Sequence, residues 1–240
     1  MTAGLPIRVS DLTKAFGSVE AVTGVTFTAE AGRVTGFVGP NGAGKSTTMR
    51  MLLGLTEPDD GVALFGDTAY RDLASPTGTV GAVLDIAAAH PATSARGHLK
   101  TFCDLGGHQR ARVDTVIESV ELGGYADRQV KGFSTGMRQR LALATALLGD
   151  PGVLVLDEPS NGLDPAGIVW LRTFLRDFAA GGGTVLISSH VLTELQYSID
   201  DLVLIDHGRI TWSGGLADFT AHGATLEEAF LALTAKEPTR

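Results

Sequence analysis

Apolar and β-branched residues alternate with polar ones at the start of the chain. Ile7 and Val9, and then the run from Val22 to Thr28, predict short strands, with Gly17 and Gly24 as turns. Val34 to Val38 is a short apolar strand that runs straight into a glycine-rich loop, Gly39 to Gly44. From Lys45 to Gly54 the period becomes helical, with Met49, Leu52 and Leu53 on one face and Gly54 as the stop. Val62 to Tyr70 predicts a strand pair, and Val80 to Leu84 a further strand. Between about Ser94 and Gly149 the spacing changes again. Leu99, Phe102 and Cys103, then Val113, Val116, Ile117 and Val120, suit helices, and Met137 to Leu148 makes a third. Strand–loop–helix alternation returns after Asp150-Pro151. Val153 to Leu156 is a strand buried on both faces, and Pro165 to Ala180 is a helix with proline in its first turn. Thr184 to Ser188 is a strand, Val191 to Ser198 a helix and Leu202 to Ile205 a strand; Leu226, Phe230 and Leu233 then share a helical face that suits core docking. The order predicts an α/β core interrupted by a helical insertion at 90–149.

Composition narrows the class. The 240 residues are 44% hydrophobic and 19% charged, ordinary for a folded chain with a sizeable core. No apolar run approaches the roughly 18 to 20 residues of a membrane-spanning helix, and Met1 to Ser10 lacks the pattern of a secretory signal, so a soluble chain is expected. A net charge of −8 with scattered Lys and Arg disfavours nucleic acid as a partner. The single cysteine, Cys103, excludes an intrachain disulfide framework and a cysteine-rich zinc site, and the six histidines form no tight pair. The 31 glycines must therefore be used where backbone freedom matters.

One such place is Gly39-Pro40-Asn41-Gly42-Ala43-Gly44-Lys45-Ser46, which matches G-x-x-x-x-G-K-[ST] between a strand and a helix. Its glycines let successive N–H groups curl round phosphate oxygens, and the helix N-terminus adds a favourable dipole. Lys45 is expected to reach the β- and γ-phosphates and Ser46 to ligate Mg²⁺. The apolar strand Val153 to Leu156 ends in Asp157-Glu158. Asp157 would stand beside Mg²⁺, and Glu158 would accept a proton from an attacking water. Two acids after a strand are more often a solvated strand end; paired with a phosphate loop on the neighbouring strand, they indicate an ATP or GTP hydrolase.

Between the two motifs lies Phe133-Ser134-Thr135-Gly136-Met137-Arg138-Gln139-Arg140-Leu141, which resembles the L-S-G-G-Q signature of the ATP-binding cassettes of ABC transporters. Ser160 to Asp164 is similar to that family's D-loop, Ser188-Ser189-His190 to its switch histidine, and Phe16 to the aromatic that stacks on adenine. The resemblance covers nearly the whole chain. It implies one cassette over 1–240 with a P-loop NTPase (RecA-like) core and antiparallel β subdomain at 1–89 and 150–240, and an inserted helical subdomain at 90–149. The implied cofactors are ATP and Mg²⁺. Glu158, His190 and Lys45 would be catalytic, and Ser46, Asp157 and Asp85 would face the metal. ATP would contact Phe16, Gly39, Pro40, Asn41, Gly42, Ala43, Gly44, Lys45, Ser46 and Thr47 of one chain and Ser134, Thr135, Gly136 and Met137 of another.

Plainer roles stand beside these: Phe16 as core packing, Ser134 and Gly136 as caps of the helix beginning near Met137, His190 as a surface histidine. There are also departures from the family pattern. Asp85 stands where Gln is usual, Gly97 where Glu is usual, Thr135 for the first signature glycine and Met137 for the signature glutamine. Together with Leu226 to Phe230, they are similar to bacterial cassettes of drug- and bacitracin-resistance-type exporters. The resemblance implies a head-to-tail homodimer closed by ATP at the cytoplasmic face of the membrane. That dimer would drive a separate permease, whose cytoplasmic helix would enter a groove between Asp85 and about Cys103. The alternative is a cassette ATPase acting on ribosomes or nucleic acid; such proteins carry two cassettes or a long coiled-coil insertion, and this chain has neither sustained heptads nor a second cassette.

Overall fold

Two long strands open the chain. β1 (Ile7–Phe16) and β2 (Val19–Ala29) form an antiparallel hairpin, β3 (Val34–Val38) leads through the glycine loop into α1 (Lys45–Leu52), and β4 (Asp60–Phe65) returns to pair with β1. A short helical turn, α2 (Pro76–Thr79), precedes β5 (Val80–Val83), and α3 (Ala95–Leu105), α4 (Arg112–Ser119) and α5 (Thr135–Ala146) form the insertion. β6 (Val153–Leu156), α6 (Pro165–Ala180), β7 (Thr184–Ser189), β8 (Asp201–Asp206), β9 (Arg209–Gly215) and the short α7 (Leu216–Phe219) complete the chain. This computed structural model describes residues 3–84, 89–191, 195–221, 226 and 228.

The strands make two sheets. One is the antiparallel trio β2-β1-β4; the other runs β5-β6-β7-β3-β8-β9, parallel except for β9. Side chains alternate across a strand, so a buried parallel strand feeds two cores. Val153 and Val155 enter a core with Phe27, Phe37 and Met49, under the trio and α1, whereas Leu154 and Leu156 enter one with Leu99, Leu141 and Leu175, under the helices. A fully buried side chain of this kind contributes about 1.5–3 kcal/mol. The result is the P-loop NTPase architecture with an antiparallel β subdomain and a helical insertion.

Most predicted elements form, with four differences. The strand at 153–156 does not neighbour β3, because β7 lies between them. Val62 to Tyr70 is not a strand pair. β4 ends at Phe65, Gly66 turns the chain at φ +63°, and after one bridge to Thr68 the segment enters a 3-10 turn at Tyr70–Asp72. β9 was not predicted; it folds onto β8 through His207 and Gly208, both at positive φ, as a two-residue hairpin turn requires. The helix of the signature begins at Thr135 rather than Met137. Asp85, Phe230 and Leu233, and residues 192–194 of the expected helix at 191–198, lie outside the described residues; Leu226 is buried as expected.

Candidate functional site

In an open parallel sheet, ligands meet the chain beyond the carboxyl ends of the strands. Here the adjacent strands β6, β7 and β3 deliver Asp157-Glu158, Ser188 to His190 and the loop Gly39 to Gly44 to one edge. The loop is pressed close to its neighbours. A Cβ at Gly39 would fall 2.0 Å from the Ile205 carbonyl oxygen, and one at Gly44 (φ +107°) would fall 2.5 Å from that of Ala21. Gly44 is the N-cap of α1 and no side chain caps it, so the N–H groups of Lys45, Ser46 and Thr47 have no acceptor within the helix. They face a cleft of about 200 Å³ lined also by Asn41, Gly42 and Glu158, an arrangement suited to an anion.

Lys45 is only 6% exposed. Its Nζ donates to the carbonyls of Gly39 (2.7 Å) and Pro40 (3.2 Å) and lies 3.5 Å from Glu158 Oε1. The other oxygen of that carboxylate, Oε2, is 2.8 Å from His190 Nδ1 and accepts the His190 backbone N–H at 3.3 Å. Glu158 is thus held from both sides, on a backbone at φ +49°. Its own N–H donates to Ser188 Oγ at 2.9 Å, and the Ser188 hydroxyl donates to Asp157 Oδ1 at 2.5 Å. The sequence analysis names Ser188 only within the segment leading to His190 and gives it no role. The available signal was a pair of hydroxyls, Ser188 and Ser189, closing the apolar run Val185 to Ile187 before His190.

Among the described residues, no group of three or more His, Cys, Asp or Glu side chains could hold a metal. Ser46 lines the cleft and Asp157 ends β6 on the same sheet edge; one hydroxyl and one carboxylate would suit Mg²⁺, which keeps waters and shares phosphate oxygens.

The remaining predicted residues lie elsewhere. Phe16 ends β1 with 53% of its surface exposed, so it is not core packing. Lys14 Nζ lies 5.7 Å from the centre of its ring. Asp59 accepts from Lys14 Nζ (2.6 Å) and from the Ala15 N–H (2.7 Å), and the Lys14 partner holds this carboxyl below the usual range. Ser134 to Met137 do not line the cleft beside Lys45. Ser134 caps α5, accepting the Met137 N–H at 3.2 Å, and its N-terminus is exposed. Gly97 donates its N–H to Ser94, the cap of α3, at 3.1 Å. Gln139, buried in α5, donates to the Pro159 carbonyl at 2.8 Å, joining the insertion to the loop after Glu158.

Fold and edge together define a phosphate-loop nucleotide hydrolase. Residues 22–161 match the family model described as ABC transporter. The chain is 37% identical over 207 residues to the bacitracin transport ATP-binding protein BcrA of Bacillus licheniformis, covering 85% of this chain and 68% of that protein. It is 35% identical over 206 residues to the lantibiotic transport ATP-binding protein SrtF of Streptococcus pyogenes, covering 85% and 88%. A solved ATP-binding subunit of an ABC transporter superposes with a TM-score of 0.84 at 27% identity, covering 95% of this chain and 99% of that one. The chain belongs to the ABC transporter family and is an ATP-hydrolysing, ATP-binding subunit of it. The resemblance to bacitracin-resistance-type cassettes is borne out by these relatives.

Proposed function

We propose that the chain powers a bacterial exporter of antibiotic, peptide or lipid-like cargo, working as a head-to-tail homodimer on a separate permease at the cytoplasmic face of the membrane. The observation that carries this proposal is the Glu158 carboxylate clasped between Lys45 and His190 (3.5 and 2.8 Å) at the mouth of an uncapped helix N-terminus. The loop N–H groups and Lys45 bind the β- and γ-phosphates, which takes Lys45 away from Glu158 and frees its carboxylate to accept a proton from the attacking water. His190 remains on Oε2 and orients it. Ser46 and Asp157 would hold Mg²⁺, which neutralises charge on the phosphates. Phe16 stacks on adenine. Ser134 to Met137, at the start of α5 with Ser134 and Thr135 exposed, contact the nucleotide held by the other protomer. Asp85 is proposed to approach the metal from the loop after β5.

The domain division follows the same reading: a core at 1–89 and 150–240, and the helical unit at 90–149, inserted between directly paired strands β5 and β6. The groove lined by Leu84, Ala89, His98 and Phe102 would receive the permease's cytoplasmic helix. Antibiotic and peptide cargo is favoured because the relatives named above are, by their names, transport subunits for bacitracin and a lantibiotic. Export is favoured because a further relative, 40% identical over 211 residues, is by its name a Nod factor export ATP-binding protein of Burkholderia lata. Among the described residues, no helix is long and apolar enough to cross a membrane.

The test is Glu158→Gln, purified with ATP and used as bait on native membranes. Turnover should fall at least a hundredfold, in line with the loss of a general base, while an ATP-dependent dimer accumulates and a multi-span membrane protein is recovered. Near wild-type turnover removes Glu158 from the base role. Recovery of ribosomes or nucleic acid in place of a permease replaces the export reading with the non-transport one.

A further inference from the structure

Ser188 is fully buried at the end of β7, in register with Phe37 of β3, between the phosphate loop's strand and the acidic strand β6. A serine hydroxyl has one proton and two lone pairs. Here the proton goes to Asp157 Oδ1 at 2.5 Å, and a lone pair takes the Glu158 N–H at 2.9 Å. One buried hydroxyl therefore touches both acidic residues of the site, one through its side chain and the other through its backbone.

Each contact has a physical consequence. Among the described residues, the Ser188 hydroxyl is the hydrogen-bond partner of the Asp157 carboxylate, and it engages Oδ1 alone. It fixes the rotation of that carboxylate and leaves Oδ2 available. The contact to Glu158 acts on a strained backbone. A non-glycine residue at φ +49° is disfavoured, and it persists where its surroundings hold it. The Asp157 N–H is tied separately to the Val83 carbonyl at 2.8 Å, so Ser188 is the link that joins the carboxylate of one residue to the main chain of the next.

We propose that Ser188 is a positioning residue for ATP hydrolysis: through one hydroxyl it sets the Asp157 carboxylate towards Mg²⁺ and holds the turn that presents Glu158. The proposal rests on Asp157 facing the metal. Residues that orient a metal-facing carboxylate are worth about 10- to 100-fold in metal affinity or activity when removed.

The experiment compares the wild-type chain with Ser188→Ala, Ser188→Thr and Asp157→Asn. It measures kcat, the Mg²⁺ concentration at half-maximal rate, and equilibrium binding of a fluorescent ATP analogue with and without Mg²⁺. Ser188→Ala removes one atom from a strand and is expected to fold. It should lose about tenfold in kcat and need about tenfold more Mg²⁺ both for half-maximal rate and for the Mg²⁺-dependent part of analogue binding, with metal-free binding unchanged. Ser188→Thr retains the hydroxyl and should recover the Mg²⁺ response. An Mg²⁺ response in Ser188→Ala equal to that of the wild type, in rate and in binding, overturns the proposal even if the overall rate falls. If Asp157→Asn loses the metal response while Ser188→Ala keeps it, the inference about Ser188 alone fails. If Asp157→Asn also keeps it, the assignment of Asp157 fails and takes the inference with it.

Discussion

Two buried threonines receive the same substitution with opposite expected outcomes. Thr35 lies in β3 at 0% exposure, and its Oγ1 is a buried side-chain oxygen without a hydrogen-bond partner among the described residues. Thr184 opens β7, also at 0% exposure, and its Oγ1 donates to the Leu5 carbonyl at 2.8 Å. Valine has the shape of threonine with a methyl in place of the hydroxyl, and both suit a strand, so Thr→Val isolates the polar atom. At position 35 it removes a desolvated hydroxyl, which should raise stability by about 1–2 kcal/mol. At position 184 it breaks a hydrogen bond and leaves the Leu5 carbonyl unpaired, which should lower stability by about 1–2 kcal/mol. For a domain of this size each kcal/mol moves Tm by about 2–4 °C. Urea unfolding followed by far-UV circular dichroism reads the difference, provided that m is common to all three proteins. Midpoints that move in the same direction for both variants would refute the reasoning, and a fall for Thr35→Val would show that its hydroxyl has a partner, such as a bound water.

Two further predictions concern the helical insertion. His98 is 6% exposed and bonded to Thr145 Oγ1 at 3.1 Å, and burial pushes its pKa below the ordinary value. The folded chain then binds fewer protons than the unfolded one as pH falls from about 6.5, so stability should drop in that window, and His98→Gln should flatten the pH dependence of the urea midpoint there. Arg140 has its guanidinium 3.9 Å from the centre of the Trp170 ring and donates to Val120 O and Glu121 Oε2, both at 2.8 Å. Arg140→Lys gives up the planar stack, since both hydrogen bonds come from one guanidinium nitrogen, and should cost about 1–2 kcal/mol in the same unfolding assay. A change within error would show that a lysine point charge suffices.

The order of elements and the chemistry at the strand ends were readable because each leaves a local mark. Val153 to Leu156 is apolar throughout because both its faces are buried, and Gly39 and Gly44 mark places where Ile205 and Ala21 leave no room for a Cβ. What was not readable depends on partners distant in sequence. That β7 separates β6 from β3 is a fact of strand order, which periodicity does not carry. The pairing of β4 with β1 in place of residues 68–70 is likewise decided by a strand some fifty residues earlier. β9 leaves a local mark only in the alternation of Ile210 and Trp212 with polar residues after the turn at His207-Gly208. Ser188 could not be promoted by type alone, since a strand-end serine acquires meaning only when Asp157 and Glu158 are seen on either side of its hydroxyl.

The departure at Thr135 has a counterpart of the same kind. The family resemblance places glycine at this position, and a threonine there needs room. That room comes from Gly162, at φ +74°, where an added Cβ would fall 2.6 Å from Thr135 Cγ2 and 3.4 Å from Thr135 Cβ. Threonine is stiff at χ1, so its methyl cannot simply swing away. Gly162→Ala therefore carries two costs: about 1–2 kcal/mol for a side chain in the left-handed region and about 1–3 kcal/mol for the clash. Thr135→Ala removes Cγ2 and leaves only the ordinary 3.4 Å contact. The double variant should recover the clash and retain the backbone cost, giving a coupling of about 1–3 kcal/mol in a double-mutant cycle read by urea unfolding. Additivity within about 0.5 kcal/mol would separate the two positions and leave the threonine unexplained. The predicted coupling would show that the signature helix and the loop after Glu158 are fitted to each other, beside the Gln139 bond to Pro159, so that a substitution in either one displaces the other.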